Sequence, residues 1–154
     1  MNGKYNVSEQ KKQDNYIIRI KSSIEQDGAP QSIELTTRGQ YHLRNGSYYI
    51  SYKETKDMGY EGCSVTVKVA EDASRVAMLR FGKANTQLLI EKGRRNVCHY
   101  ETGYGSLTLG VSADVIESQL TETGGTVHFS YILDADSAGL ISKSCLDISV
   151  THIN

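Results

Sequence analysis

The amino-acid sequence predicts an all-β protein, a closed antiparallel up-and-down β-barrel of about eight to ten strands. Three observations carry that expectation. From Tyr16 to the C-terminus, short alternations of apolar and polar residues follow one another, with turn signals roughly every 8–12 residues. The links between them hold Gly, Asn and Asp, the residues that make turns. The links are also short, which favours pairing between successive strands, and closing such a meander removes the exposed edges that invite aggregation.

The elements follow in order. Residues 1–15 are polar (Lys4, Glu9, Lys11, Lys12, Asp14) and read as a flexible tail ahead of one β-barrel domain over residues 16–154. The first strand spans residues 16–26, with Ile18, Ile20 and Ile24 on one face. Asp27-Gly28-Ala29-Pro30 is a turn signal, with Pro30, the sole proline, ending the strand. Residues 32–44 form the second strand, where Gly39 marks a bend, a bulge or a close approach of another chain segment. Asn45-Gly46 is the strongest hairpin signal in the chain and calls for a type I′ turn into residues 47–56. After a longer loop, residues 63–71 alternate cleanly through Val65, Val67 and Val69. The remaining strands fall at 75–82, 86–92, 96–102, 106–118, 126–135 and 140–152. Within 111–120, Val111, Val115 and Ile116 approximate a helical period, but Gly110 and the β-branched neighbours favour a strand.

Composition narrows the function classes. A chain of 154 residues is expected to form one domain. The net charge of -1 gives no field for a polyanion, so nucleic acid is not the expected partner. No apolar run approaches the roughly 18 residues of a membrane-spanning helix, and the N-terminus lacks the apolar core of a secretory signal. The expected compartment is the cytoplasm. Cys63, Cys98 and Cys145 are an odd set without CxxC spacing and read as thiols packed in or near strands. Ten Tyr with two Phe and no Trp imply a core threaded with phenol hydrogen bonds or one that surrounds a wet cavity.

Several short motifs follow one another along the chain: Gly39-Gln40-Tyr41, Tyr52-Lys53-Glu54, Thr66-Val67-Lys68-Val69, Arg80-Phe81-Gly82, Tyr100-Glu101-Thr102 with Gly105, and Tyr131-Ile132-Leu133. Together, over residues 16–150, they resemble the YwiB-like family of Gram-positive bacteria, small calycin-type barrels grouped as a domain of unknown function. The resemblance implies a lipocalin-like closed barrel in a bacterial cytoplasm and implies no activity. A longer polar N-terminal tail and Gly103 before Tyr104 are departures that leave the barrel untouched.

Two charges break the apolar rhythm. Tyr48, Ile50 and Tyr52 are followed on the same parity by Glu54, and Val76 and Met78 by Arg80. Lone buried charges are prohibitively costly, so such groups pair. Glu54 and Arg80 therefore read either as a structural ion pair or as the polar anchor of a ligand site, with Tyr41, Tyr52 and Tyr131 supplying hydroxyls from the same inward parity. Tyr100 and Thr102, on the face of Cys98, complete the candidate set. No catalytic residue, metal site or cofactor is assigned. His99-Tyr100-Glu101 has the H-x-E spacing of zinc deaminases but lacks the P-C-x-x-C partner. Gly103-Tyr104-Gly105 is a tight turn rather than a dinucleotide fingerprint. Arg94 and Arg95 read as solvated turn residues.

Three functions compete. The first is a non-catalytic binding module for a small amphipathic ligand in the barrel interior, an anionic one being suited to Arg80. The second is a filled barrel that docks a protein partner. The third is an enzyme using Glu54 with Tyr and Arg80, disfavoured because a neighbouring Arg makes a carboxylate a poor base.

Overall fold

Side chains alternate across an extended backbone, so strands with one apolar parity wrap into a wall with an apolar lining. The computed structural model describes residues 15–26, 28–54, 62–82, 85–102, 105–135 and 139–153. It holds strands β1 (Tyr16–Gln26), β2 (Ala29–Arg44), β3 (Ser47–Lys53), β4 (Ser64–Ala70) and β5 (Arg75–Phe81), followed by β6 (Thr86–Glu91), β7 (Arg95–Thr102), β8 (Gly105–Thr121), β9 (Gly124–Ala135) and β10 (Gly139–His152). Residues 1–14 of the expected tail, and most of the loop expected after the third strand, lie outside the described residues. The ambiguous stretch 111–120 is strand, inside β8.

Each strand pairs antiparallel with its neighbours in sequence, and β1 closes the ring on β10 from Tyr16↔His152 to Glu25↔Lys143. The thinnest seam is between β6 and β7, with the ladder pair Thr86↔Tyr100 and the bridge Glu91↔Arg94. The two longest strands each serve two neighbours in turn. β2 pairs with β1 from Ala29 to Gly39 and with β3 from Gln40 to Arg44. β8 pairs with β7 up to Ser112 and with β9 from Gly110 onward.

Gly39 sits where β2 changes partner, and the reason is a close approach. A Cβ there would lie 2.2 Å from the Ser51 carbonyl oxygen and 2.4 Å from Ile18 Cδ1. Asn45 and Gly46 both have positive φ, 51° and 80°, as the expected type I′ turn requires. Pro30 does not end a strand. It lies within β2, opposite Glu25, and the link between β1 and β2 is the two residues before Ala29. Pro is tolerated there because its missing N–H falls on the side of β2 facing away from β1.

The lining is one continuous apolar cluster that includes Ile18, Ile20, Ile50, Val65, Val67, Val69, Val76, Ile90, Val111 and Phe129. Each such burial contributes roughly 1.5–3 kcal/mol. An antiparallel meander alternates its links between two ends. At the end with the β2–β3 turn, Tyr41 stacks on Tyr48 (6.1 Å between centroids, 3° between planes) and meets the edge of Tyr16 at 5.3 Å. Tyr16 in turn meets His152 at 5.0 Å. The Tyr41 hydroxyl donates to the Thr121 carbonyl at 2.5 Å, tying β2 to the end of β8.

Gly39→Ala forces either the Ser51 backbone or Ile18 to move. It is expected to cost about 1–3 kcal/mol, as overpacking of a dense interior does. Urea denaturation measures this as a lower midpoint with an unchanged slope.

Candidate functional site

Glu54 and Arg80 lie toward the other end, which carries the β3–β4, β5–β6 and β7–β8 links. Glu54 follows the last residue of β3, and its N–H donates to the Cys63 carbonyl at 2.8 Å, which holds the strand's inward parity one position further. Arg80 is next to last in β5, opposite Val65 of β4 and Thr86 of β6. The two side chains meet: Arg80 Nε donates to Glu54 Oε1 in an ion pair. The Glu54 side chain is fully buried and that of Arg80 is 17% exposed, so the guanidinium forms the solvent side of the pair.

The second carboxylate oxygen, Glu54 Oε2, is buried and finds no hydrogen-bond partner among the described residues. Buried polar atoms are nearly always satisfied, so an acceptor left over among the described residues stands out. Tyr52 shares the neighbourhood. Burial raises its phenol pKa well above the usual value, the nearby Glu54 charge raises it further, Arg80 opposes, and Tyr131 adds to the rise. Four residues singled out from sequence thus come together: Glu54, Arg80, Tyr52 and Tyr131.

The remaining three are placed differently. Tyr41 belongs to the aromatic group at the opposite end, its hydroxyl engaged by Thr121. Tyr100 occupies the register row Val65, Arg80, Thr86, Tyr100, Leu107, two strands from Arg80. The side chains of Tyr100 and Thr102 lie outside the described residues. Thr86 was missed by the sequence reading. It is buried and sits beside Arg80 at the start of β6, and its shared parity with Leu88 and Ile90 was the signal that would have found it.

Other features expected to be inert have partners. Arg95 is exposed, as expected, but it opens β7 rather than sitting in a turn. It grips Asp134 across β8, with Nη2 2.5 Å from Oδ1 and Nε 3.1 Å from Oδ2. Those hydrogen bonds hold the Asp134 carboxyl below the usual carboxylate range. His128 Nδ1 is 2.7 Å from Asp147 Oδ1, and His99 Nδ1 is 3.4 Å from the Thr108 hydroxyl. Cys63 and Cys98 are buried and Cys145 half-buried, and burial pushes the Cys98 thiol up. Among the described residues, no three His, Cys, Asp or Glu side chains gather as a metal site would need.

Comparison with known proteins bears on the family and the barrel fold. The family model described as "Domain of unknown function (DUF1934)" matches residues 18–148. The uncharacterized beta-barrel protein YwiB of Bacillus subtilis (strain 168) is 32% identical over 114 residues, which cover 74% of this chain and 78% of that protein. The crystal structure of ywiB protein from Bacillus subtilis superposes with a TM-score of 0.75 at 26% identity, covering 90% of this chain and 92% of that one.

Removing one partner of the ion pair strands the other, so Arg80→Ala is expected to destabilise by about 3–5 kcal/mol. Replacing both, Arg80→Met with Glu54→Gln, should recover much of that loss. Equilibrium unfolding in urea separates the two results. A cost under about 1 kcal/mol for the single change, the worth of an exposed pair, contradicts the burial of Glu54.

A second expectation concerns alkali. The phenols of Tyr52 and Tyr41 are both raised above 10.0, chiefly by burial. A group raised in the folded state contributes stability that is whole below its unfolded pKa and is lost as the pH climbs toward the folded one. The melting temperature should therefore hold up to about pH 10 and fall above it. Tyr52→Phe should flatten that fall in differential scanning calorimetry.

Proposed function

This chain belongs to the DUF1934 family of YwiB-like β-barrel proteins, and we propose that it is a non-catalytic binding module for a small amphipathic molecule held inside the barrel at the Glu54–Arg80 end. One observation carries the reading: a buried carboxylate oxygen without a partner among the described residues, Glu54 Oε2, beside an Arg80 side chain that is partly exposed. The ligand's head places an O–H or N–H on Oε2 and an acceptor, a carboxylate in the anionic case, toward Arg80. Charge-assisted hydrogen bonds of this kind orient a ligand strongly. Tyr52 and Thr86, both buried, flank the pair.

The body of the ligand is apolar by the same argument. Two positions deeper along the strands of Tyr52, Val65, Arg80 and Thr86 lie Ile50, Val67, Met78 and Leu88, one apolar row across the wall. A largely apolar surface with a few polar groups at one end is what small-molecule sites share. Binding is favoured over catalysis because Glu54 Oε1 is committed to Arg80, which leaves one oxygen to accept a hydrogen bond. The net charge of -1 supports a small molecule over a polyanion. A second reading, a filled barrel that docks another protein, is favoured by the continuity of the apolar cluster through the interior.

Native mass spectrometry of the chain purified from its own host tests the proposal. The expected result is a non-covalent adduct on the 17.0 kDa chain that denaturation releases and that the Glu54→Gln, Arg80→Met double variant lacks. Bare chain from the wild type, together with a crystallographic interior that has no room for a small molecule, overturns it.

A further inference from the structure

The outer edge of β2 carries a separate message. The link between β1 and β2 is two residues long, so Gln26 and Ala29 form a hydrogen-bonded pair and such pairs recur at every second residue. The backbone N–H and C=O groups of Ser32, Glu34, Thr36 and Arg38 therefore point away from β1. The same parity continues to Gln40, which faces β3 opposite Ser51. Pairing with β3 goes no further toward the start of β2, and no strand among the described residues pairs with residues 32–38 on that side.

This edge is open in other respects. Ser32, Ile33, Glu34, Thr36 and Arg38 are exposed. The internal contacts described along it are loose: the Thr37 hydroxyl lies 3.4 Å from the Arg38 carbonyl, and Glu34 meets Lys21 of β1 at 3.6 Å in an exposed pair of the kind worth little. The end of β8 is tied down instead: Tyr41 donates to the Thr121 carbonyl at 2.5 Å, and the Leu120 N–H makes a longer contact, 3.4 Å, to the Ser118 hydroxyl. Long open edges are templates for another strand, and proteins usually blunt them.

We propose that β2 pairs edge to edge with β2 of a second copy of this chain, antiparallel, with Thr36 opposite Thr36 on the two-fold axis. The charges on the strand select both occupant and register. With Thr36 on the axis, Glu34 lies opposite Arg38 of the second copy and Arg38 opposite its Glu34. All four are in hydrogen-bonded pairs, about 5.5 Å apart at Cα, with side chains on the outer face. One strand is thus complementary to itself, as an isologous interface requires. Leu35 lies opposite Thr37 on the inner face. The ladder runs from Glu34 to Arg38 and stops where β3 occupies Gln40. So short a contact falls below the roughly 1,000 Å² of a stable interface, so the dimer is weak and concentration-dependent.

Sedimentation velocity at low salt, from roughly 1 μM to 1 mM chain, is the test. The average mass should climb from 17.0 kDa toward twice that value. Thr36→Pro removes an edge N–H without removing a bond to β1, and should leave the chain monomeric with its circular dichroism unchanged. Glu34→Arg should weaken the dimer at least about tenfold, and adding Arg38→Glu should restore it. If Thr36→Pro fails to fold, the charge exchange decides alone. A monomer at every concentration overturns the proposal, including the case in which a different protein's strand is the true occupant. A dimer indifferent to both the proline and the charge exchange overturns it as well, because the contact then lies on another face.

Discussion

Closure of β1 against β10 is the constraint on which the rest of this molecule depends. These strands come from the two ends of the described chain, yet they pair from Tyr16↔His152 to Glu25↔Lys143. β1 also carries β2 along its whole length. Without that seam, β1 and β10 are both open edges, and the apolar parity of every strand looks into a slot open to water. Such distant partners make closure entropically late, since the chain must be ordered before the seam rewards it. Once closed, the wall gives each inward residue one environment, and the apolar cluster becomes continuous.

A closed lining makes polar groups expensive, and the barrel handles them in two ways. At the end with the β2–β3 turn, Tyr41 uses its hydroxyl as a tie to the Thr121 carbonyl and its ring as a stacking surface for Tyr48. That phenol is spent on structure. At the other end, Tyr52 lies beside a carboxylate whose one oxygen takes Arg80 and whose other takes nothing among the described residues. Two tyrosines on the same parity of neighbouring strands thus serve different purposes, one tying an end of the barrel and one packed beside the buried ion pair. The two stretches of sheet edge differ as well: the end of β8 is tied by Tyr41 of β2, whereas no strand among the described residues pairs with residues 32–38 of β2 on the side away from β1.

Much of this was legible in the residues. Asn45-Gly46 named its turn because both positions need positive φ, which Asn and Gly tolerate. Glu54 and Arg80 were visible as charges on an apolar parity, and their pairing followed from the cost of burying either alone. Pro30 was misread as a strand end because a proline excludes itself from a ladder on one side only, and which side faces a neighbour is not a local property. Arg95 was read as a solvated turn residue because its partner, Asp134, is 39 positions away and reaches it only through the pairing of β8 with β9. Thr86 was passed over since a small hydroxyl at a strand start carries little weight until Arg80 is placed beside it.

The sequence by itself determined the strands, their inward parity, most of the turns and the two misplaced charges. Each of these is written in neighbours one to four residues apart, where the period-2 backbone and turn stereochemistry act. Tertiary structure decided the rest: that Tyr52 and Tyr131 lie near the charge pair while Tyr41 does not, and that, among the described residues, one oxygen of Glu54 is unmatched and residues 32–38 of β2 pair with β1 alone. These depend on register and closure, which bring together residues that no local pattern relates, and a buried atom's partners are known only once the wall around it is complete.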